Sequence, residues 1–204
     1  MDKIILLDLD GTVADWDAAM IRDLQRCLPI DYYPKIEIWM KEERRNRPEW
    51  VENLMSVIRN QVGWWFNLEP LDLGMHLFEL IKSSRWDWEI NVLTKGPATK
   101  PNAWMEKVQW CTKYLGTVPV TVCANKSLVY GRVLVDDYPP YMEQWLKYRP
   151  NGLGIMPAHF HNRGFKHPNV IRVNSEKDLP LVKRALDIAW VREDGEVLDL
   201  DSIW

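Results

Sequence analysis

Residues Ile4-Ile5-Leu6-Leu7 form an apolar run that ends abruptly in Asp8-Leu9-Asp10-Gly11-Thr12. So short and continuous a run suits a strand buried on both faces of a parallel sheet. Alternate residues of a strand point the same way, so Asp8 and Asp10 converge on one spot beyond its end. Gly11 then lets the chain turn away. Two acids at the end of a buried strand are costly unless they hold a cation or carry out chemistry.

The remaining chain supplies what such a strand needs. Its 204 residues suit one full-sized domain with a modest insertion, and a hydrophobic content of 47% predicts a substantial core. The net charge of −3 gives no reason to expect polymeric nucleic acid as a partner. No apolar run is long enough for a bilayer, so no membrane partner is expected. The N-terminus enters a strand directly, unlike a signal peptide. Cys27, Cys111 and Cys123 are widely spaced and form no CxxC pair. Neither a zinc site nor a disulfide framework is expected, and a cytoplasmic location fits best.

Strand-like segments alternate with helical ones. Residues 3–7, 89–93, 118–122, 132–135, 152–156 and 170–173 read as strands, and 71–84, 101–115 and 178–190 as helices. From Trp16 to about Asn60 the spacing is helical, broken by Pro29, Pro34 and Pro48. The expected fold is α/β: a Rossmann-like parallel sheet (1–15 and 66–190) with a small helical cap (16–65) inserted after the first strand. Residues 191–204 are acidic and read as a loosely held tail.

In such a sheet, ligands bind beyond the carboxyl ends of the strands. Asp8/Asp10, Thr94/Lys95 and Asp136/Asp137 each follow a strand directly, and Lys126 lies just after another. The acids suit Mg²⁺, a hard cation that takes oxygen ligands and a substrate phosphate. Thr94 can donate to a phosphate oxygen, and Lys126 can neutralise its charge. The set reads as a phosphoryl-transfer site, with Asp8 as nucleophile and Asp10 as acid/base.

The order of these segments resembles the four motifs of the haloacid dehalogenase superfamily of phosphatases: Asp8-Leu-Asp-Gly-Thr-Val, Thr94, Lys126 and Asp136-Asp137. A narrower resemblance, to the 5′(3′)-deoxyribonucleotidases, is carried by Asp8 to Trp16, by Trp64-Trp65-Phe66-Asn67-Leu68-Glu69-Pro70-Leu71, by Lys107 to Gly116, by Asn125 to Asp137 and by His161-Asn162-Arg163. It implies Asp8, Asp137 and the backbone carbonyl of Asp10 as metal ligands, with Asp136 in support. It implies Thr94 and Lys126 at the phosphate, Mg²⁺ as cofactor, a nucleoside monophosphate as small-molecule substrate, and a homodimer. Trp16 stands where that family has a Phe beside the substrate, and Trp39 and Arg59 fall near its cap contacts. Lys95 replaces the family's Ser, and either adds charge to the phosphate site or points outward.

Several of these residues have simpler readings. Trp16 and Trp39 could pack the cap as readily as stack on a base. Trp64 and Trp65 read as packing between cap and core, the Lys41–Arg47 charge run as a solvated helix face, and His159 and His161 as polar loop residues. A phosphatase for another small phosphoester, or a non-catalytic binder of nucleotide and metal, would use the same pocket.

Overall fold

The computed structural model describes residues 3–41, 46–97, 100–193 and 195–200. Six strands form one parallel sheet: β1 (Ile4–Leu7), β2 (Glu89–Thr94), β3 (Val120–Val122), β4 (Val133–Val135), β5 (Leu153–Pro157) and β6 (Val170–Val173), in the order β3-β2-β1-β4-β5-β6. β1 pairs with β2 on one side and β4 on the other, so the chain's winding reverses at β1. A crevice opens at the carboxyl ends of strands at such a reversal. The central strands are apolar throughout because helices cover both faces; Ile5, Leu7, Val133 and Val135 have no exposed surface.

Helices α1 (Trp16–Cys27), α2 (Tyr33–Lys41) and α3 (Glu49–Arg59) follow β1, and α1 packs against both of the others. Their breaks follow local chemistry. The Asp15 side chain caps α1 by accepting from Ala18 N at 2.9 Å, and Pro48 stands immediately before α3. This helical excursion leaves and returns at one point: Asp15 N donates to Glu69 O and Leu71 N to Val13 O, both at 2.8 Å.

Helix α4 (Asp72–Lys82) then passes so close to the turn after β1 that a Cβ on Gly74 would lie 1.7 Å from Thr12 O. Helix α5 (Pro101–Leu115) begins on a proline whose missing N–H costs nothing there, and stops at Gly116, whose φ is +75°. Two further helices, α6 (Pro139–Tyr148) and α7 (Leu179–Val191), complete the layers. No helix among the described residues is long and apolar enough to cross a membrane.

The C-terminal segment corrects one expectation. Leu198 and Leu200 are buried in the main core, Asn151 Nδ2 donates to Gly195 O at 3.0 Å, and Arg132 Nη2 donates to Arg192 O. This stretch is acidic in composition, yet its two leucines anchor it, so its described residues, 191–193 and 195–200, are no loose tail. Residues 201–204, including Trp204, lie outside the described residues, as do 42–45 of the charge run and Ala98-Thr99 of the loop after β2.

Candidate active site

Asp8 follows β1 and keeps strand geometry for one more step, since its N–H donates to Val135 O at 2.9 Å. This holds it level with Asp136 and Asp137 at the end of β4. Lys126 reaches the same place from a 3-10 turn, Lys126–Leu128, after β3. Asn125 shapes that turn by accepting from Ser127 N at 3.1 Å and Ser127 Oγ at 2.6 Å. Lys126 Nζ lies 2.5 Å from Asp8 Oδ1 and 2.7 Å from Asp136 Oδ2. The other Asp136 oxygen accepts from Tyr138 N at 2.9 Å, at the start of α6. Asp136 is therefore fully engaged inside the protein, whereas Asp137 turns toward the cavity.

Asp137 is braced from behind. Asn162 Nδ2 donates to its carbonyl at 2.8 Å, and His161 Nε2 sits 3.0 Å from its Oδ2. His159 stacks on His161 at 5.2 Å and its Nε2 lies 2.6 Å from Gly11 O. The two histidines thus buttress the turn after β1 and the end of β4, more than polar loop residues would. Burial opposes their charged forms, but Asp17 beside His159 and Asp137 beside His161 raise both above the ordinary value. Donor atoms of Asp17, His159 and His161 lie within 4.8 Å of one another.

On the other side of Asp8, a second lysine appears that sequence reasoning did not place in the site. Lys107, midway along α5, is entirely buried and paired with Asp10. It also donates to Thr94 Oγ1 at 3.2 Å and to Lys95 O at 2.8 Å. Thr94 is itself fully buried, and it is not part of the cavity wall. A signal existed: Ala103, Glu106, Lys107, Trp110 and Cys111 share the buried face of α5, so two charged residues occupy a stripe that periodicity gives to the core. Burial pushes the neighbouring Cys111 thiol up to about 12, which leaves it inert.

The carboxylates open into a cavity of about 900 Å³. Trp16, Arg59 and Lys95 line it together with Asp8, Asp10, Lys126 and Asp137. Trp65 lines it too, its ring beneath the Lys107 ammonium at 4.4 Å and its Nε1 donating to Arg59 O at 2.9 Å. Trp65 is therefore both packing and cavity wall. Trp39 is not in the wall; it packs edge-on against Trp50 at 5.3 Å, beside Tyr32. Its neighbour Met40 faces the cavity instead.

The charge balance bears on a metal. Donor oxygens of Asp8, Asp136 and Asp137 lie within 4.8 Å of one another, all buried, with the Lys126 ammonium against Asp8 and Asp136 and His161 against Asp137. Burial drives Asp8 well above the usual carboxylate range; Lys126 opposes this, and Asp136, Asp137 and Asp10 reinforce it. Burial raises Asp136 as well, again against Lys126. Against the burial that would strip its proton, Asp136 and Asp8 hold Lys126 above its own ordinary value. Surplus negative charge on oxygen donors in a buried site suits a hard divalent cation.

Fold and site together define the class: a Rossmann-like α/β protein with a carboxylate cluster at the ends of its central strands. Within that class the chain belongs to the family described as 5′ nucleotidase, deoxy (pyrimidine), cytosolic type C, whose model matches residues 2–186. It is 23% identical over 141 residues to the human cytosolic-type 5′(3′)-deoxyribonucleotidase, covering 65% of this chain and 69% of that protein. To the human mitochondrial 5′(3′)-deoxyribonucleotidase it is 24% identical over 143 residues, covering 66% of this chain and 62% of that protein. A solved haloacid dehalogenase-like hydrolase from Burkholderia xenovorans superposes with a TM-score of 0.49 at 16% identity, over 87% of this chain and 94% of that one.

Proposed function

We propose that the protein is a Mg²⁺-dependent phosphatase of nucleoside monophosphates, with deoxyribonucleotides preferred, acting through an aspartyl-phosphate on Asp8. The observation that carries this reading is the convergence of Asp8, Lys126 and Asp137 at the floor of a cavity of about 900 Å³ walled by Trp16 and Trp65. Family membership and the names of the relatives support the substrate class.

A phosphate at the floor meets the Lys126 ammonium, which offsets its charge beside the nucleophile. An Asp8 oxygen attacks phosphorus in line with the ester oxygen. The Asp8–phosphorus bond forms as the bond to the nucleoside oxygen breaks, and Asp10 gives that oxygen its proton. Water then attacks the phosphorus, Asp10 takes the water's proton, and the bond to Asp8 breaks to release phosphate. The Asp8 and Asp137 carboxylates and the Asp10 carbonyl would hold Mg²⁺, which adds charge neutralisation on the phosphoryl oxygens. Asp136, tied to Lys126 and Tyr138 N, orients the lysine. The helices α1–α3 exclude water from the bound ester.

The test is phosphate release from a panel of deoxynucleoside, ribonucleoside and sugar monophosphates with Mg²⁺. Deoxynucleoside monophosphates should turn over much faster than sugar phosphates. Equal or reversed rates would overturn the nucleotide reading, and no release from any ester would overturn the phosphatase.

A further inference from the structure

We propose that Lys107 is a positioning residue for proton transfer: it holds the Asp10 carboxyl in its working orientation and ties it to the aromatic wall where the leaving group sits. This rests on the reading of Asp10 as acid/base.

Lys107 is in a costly place. It lies on the core face of α5 with no exposed surface, and an ammonium there is tolerated only when fully partnered. Its three N–H donors meet three acceptors: Asp10 Oδ2, Thr94 Oγ1 at 3.2 Å and Lys95 O at 2.8 Å. These come from the ends of β1 and β2, so one side chain locks the two strand termini that flank the floor. An apolar residue of similar length would pack that face of α5 equally well, so the fold alone does not call for a charge there.

Asp10 shows what the charge does. Its Oδ2 is the atom Lys107 holds, while its Oδ1 is buried and has no hydrogen-bond partner among the described residues. Anchored through Oδ2, the carboxyl keeps a fixed rotamer at the cavity wall.

The preceding residue extends the link. Glu106, also buried, accepts from Gly63 N at 2.8 Å and Trp65 N at 3.1 Å. Trp65 stands under the Lys107 ammonium and in the cavity wall. The two neighbouring charges on α5 therefore fix Asp10 and the Trp65 wall relative to each other. Lys126 serves the other carboxylates, Asp8 and Asp136, so the two lysines divide the site between nucleophile and proton donor.

The experiment compares two leaving groups. A nucleoside oxygen leaves poorly without a proton, whereas p-nitrophenolate leaves unaided. kcat/KM reports only steps through phosphoryl transfer to Asp8, so it isolates the acid role of Asp10 from its later role as base. Lys107→Met should lower kcat/KM for a deoxynucleoside monophosphate by about 10²–10⁴-fold, and that for p-nitrophenyl phosphate by less than about tenfold. Asp10→Asn should discriminate the same way. Its failure to do so would remove the reading of Asp10 itself.

The double variant Asp10→Asn/Lys107→Met removes both members of the buried pair and leaves no lone charge, so it tests the idea even where Lys107→Met alone folds poorly. Its nucleotide kcat/KM should match that of Asp10→Asn, because a residue acting through Asp10 has nothing left to position. Equal loss on both esters in Lys107→Met, or a further loss in the double variant, would overturn the proposal.

Discussion

Gly11 and Asp137 are pressed together at the ends of adjacent strands: a Cβ built on Gly11 would lie 2.5 Å from Asp137 Oδ2. Gly11 also has a φ of +75°, where other residues are strained. Gly11→Ala should therefore displace the Asp137 carboxylate and add about 1–2 kcal/mol of backbone strain. The expected result is a rise of at least about tenfold in the Mg²⁺ concentration for half-maximal phosphate release, since one of few carboxylate ligands is moved. An unchanged Mg²⁺ requirement would separate Asp137 from the metal.

Asp8→Asn should remove the nucleophile and lower turnover by about 10³-fold or more. The same change should raise the melting temperature of the metal-free protein, because it removes a carboxylate whose burial disfavours its charge. Calorimetry and phosphate release on one preparation check both. Full activity, or a lower melting temperature, would contradict the assignment.

The raised carboxyls give metal-free stability a definite pH slope. Asp8 and Asp136 titrate higher in the folded state than unfolded, so folding binds protons between the two values. Their contribution is fully present below the unfolded value and is lost as pH rises through the folded one. As the pH falls from neutral toward the unfolded carboxylate value, metal-free protein should grow more stable, and the stabilisation given by Mg²⁺ should shrink. His159 and His161, also raised, act in the same direction. A metal-free melting temperature that falls across this range would refute the charge surplus.

Lys126→Met should leave Asp8 and Asp136 facing each other without a cation. Breaking a buried pair this way costs about 3–5 kcal/mol. Adding Asp8→Asn to that variant should stabilise it by more than Asp8→Asn stabilises the parent protein, which urea unfolding of the parent, both single variants and the double variant measures. An equal effect in both backgrounds would show that the lysine and Asp8 are not coupled.

Trp16 lines the cavity and packs edge-on against Trp64 at 6.0 Å. If its face stacks on a base, Trp16→Ala should weaken nucleotide binding by about 1–3 kcal/mol, read as KM for a deoxynucleoside monophosphate, with a smaller effect on p-nitrophenyl phosphate. Equal effects on both esters would make Trp16 a packing residue.

The sequence alone carried the strand-end carboxylates, because their logic is local. An apolar strand alternates its side chains and a glycine turns the chain, so Asp8 and Asp10 converge whatever surrounds them. The other strand ends followed from the same periodicity, which yielded Lys126 and Asp136-Asp137 and the sheet that aligns them. Tertiary packing decided the rest. Periodicity shows that Lys107 faces the core but not that Asp10, far away in the chain, faces it there. It identifies Trp39 and Trp65 as half-apolar residues, yet only the packing of α1–α3 puts Trp65 in the wall and Trp39 behind it. Composition makes the C-terminal segment look soluble, while two leucines find a groove in the core. Local geometry is written in neighbouring residues, whereas the partner of a buried charge is fixed only when distant segments close around it.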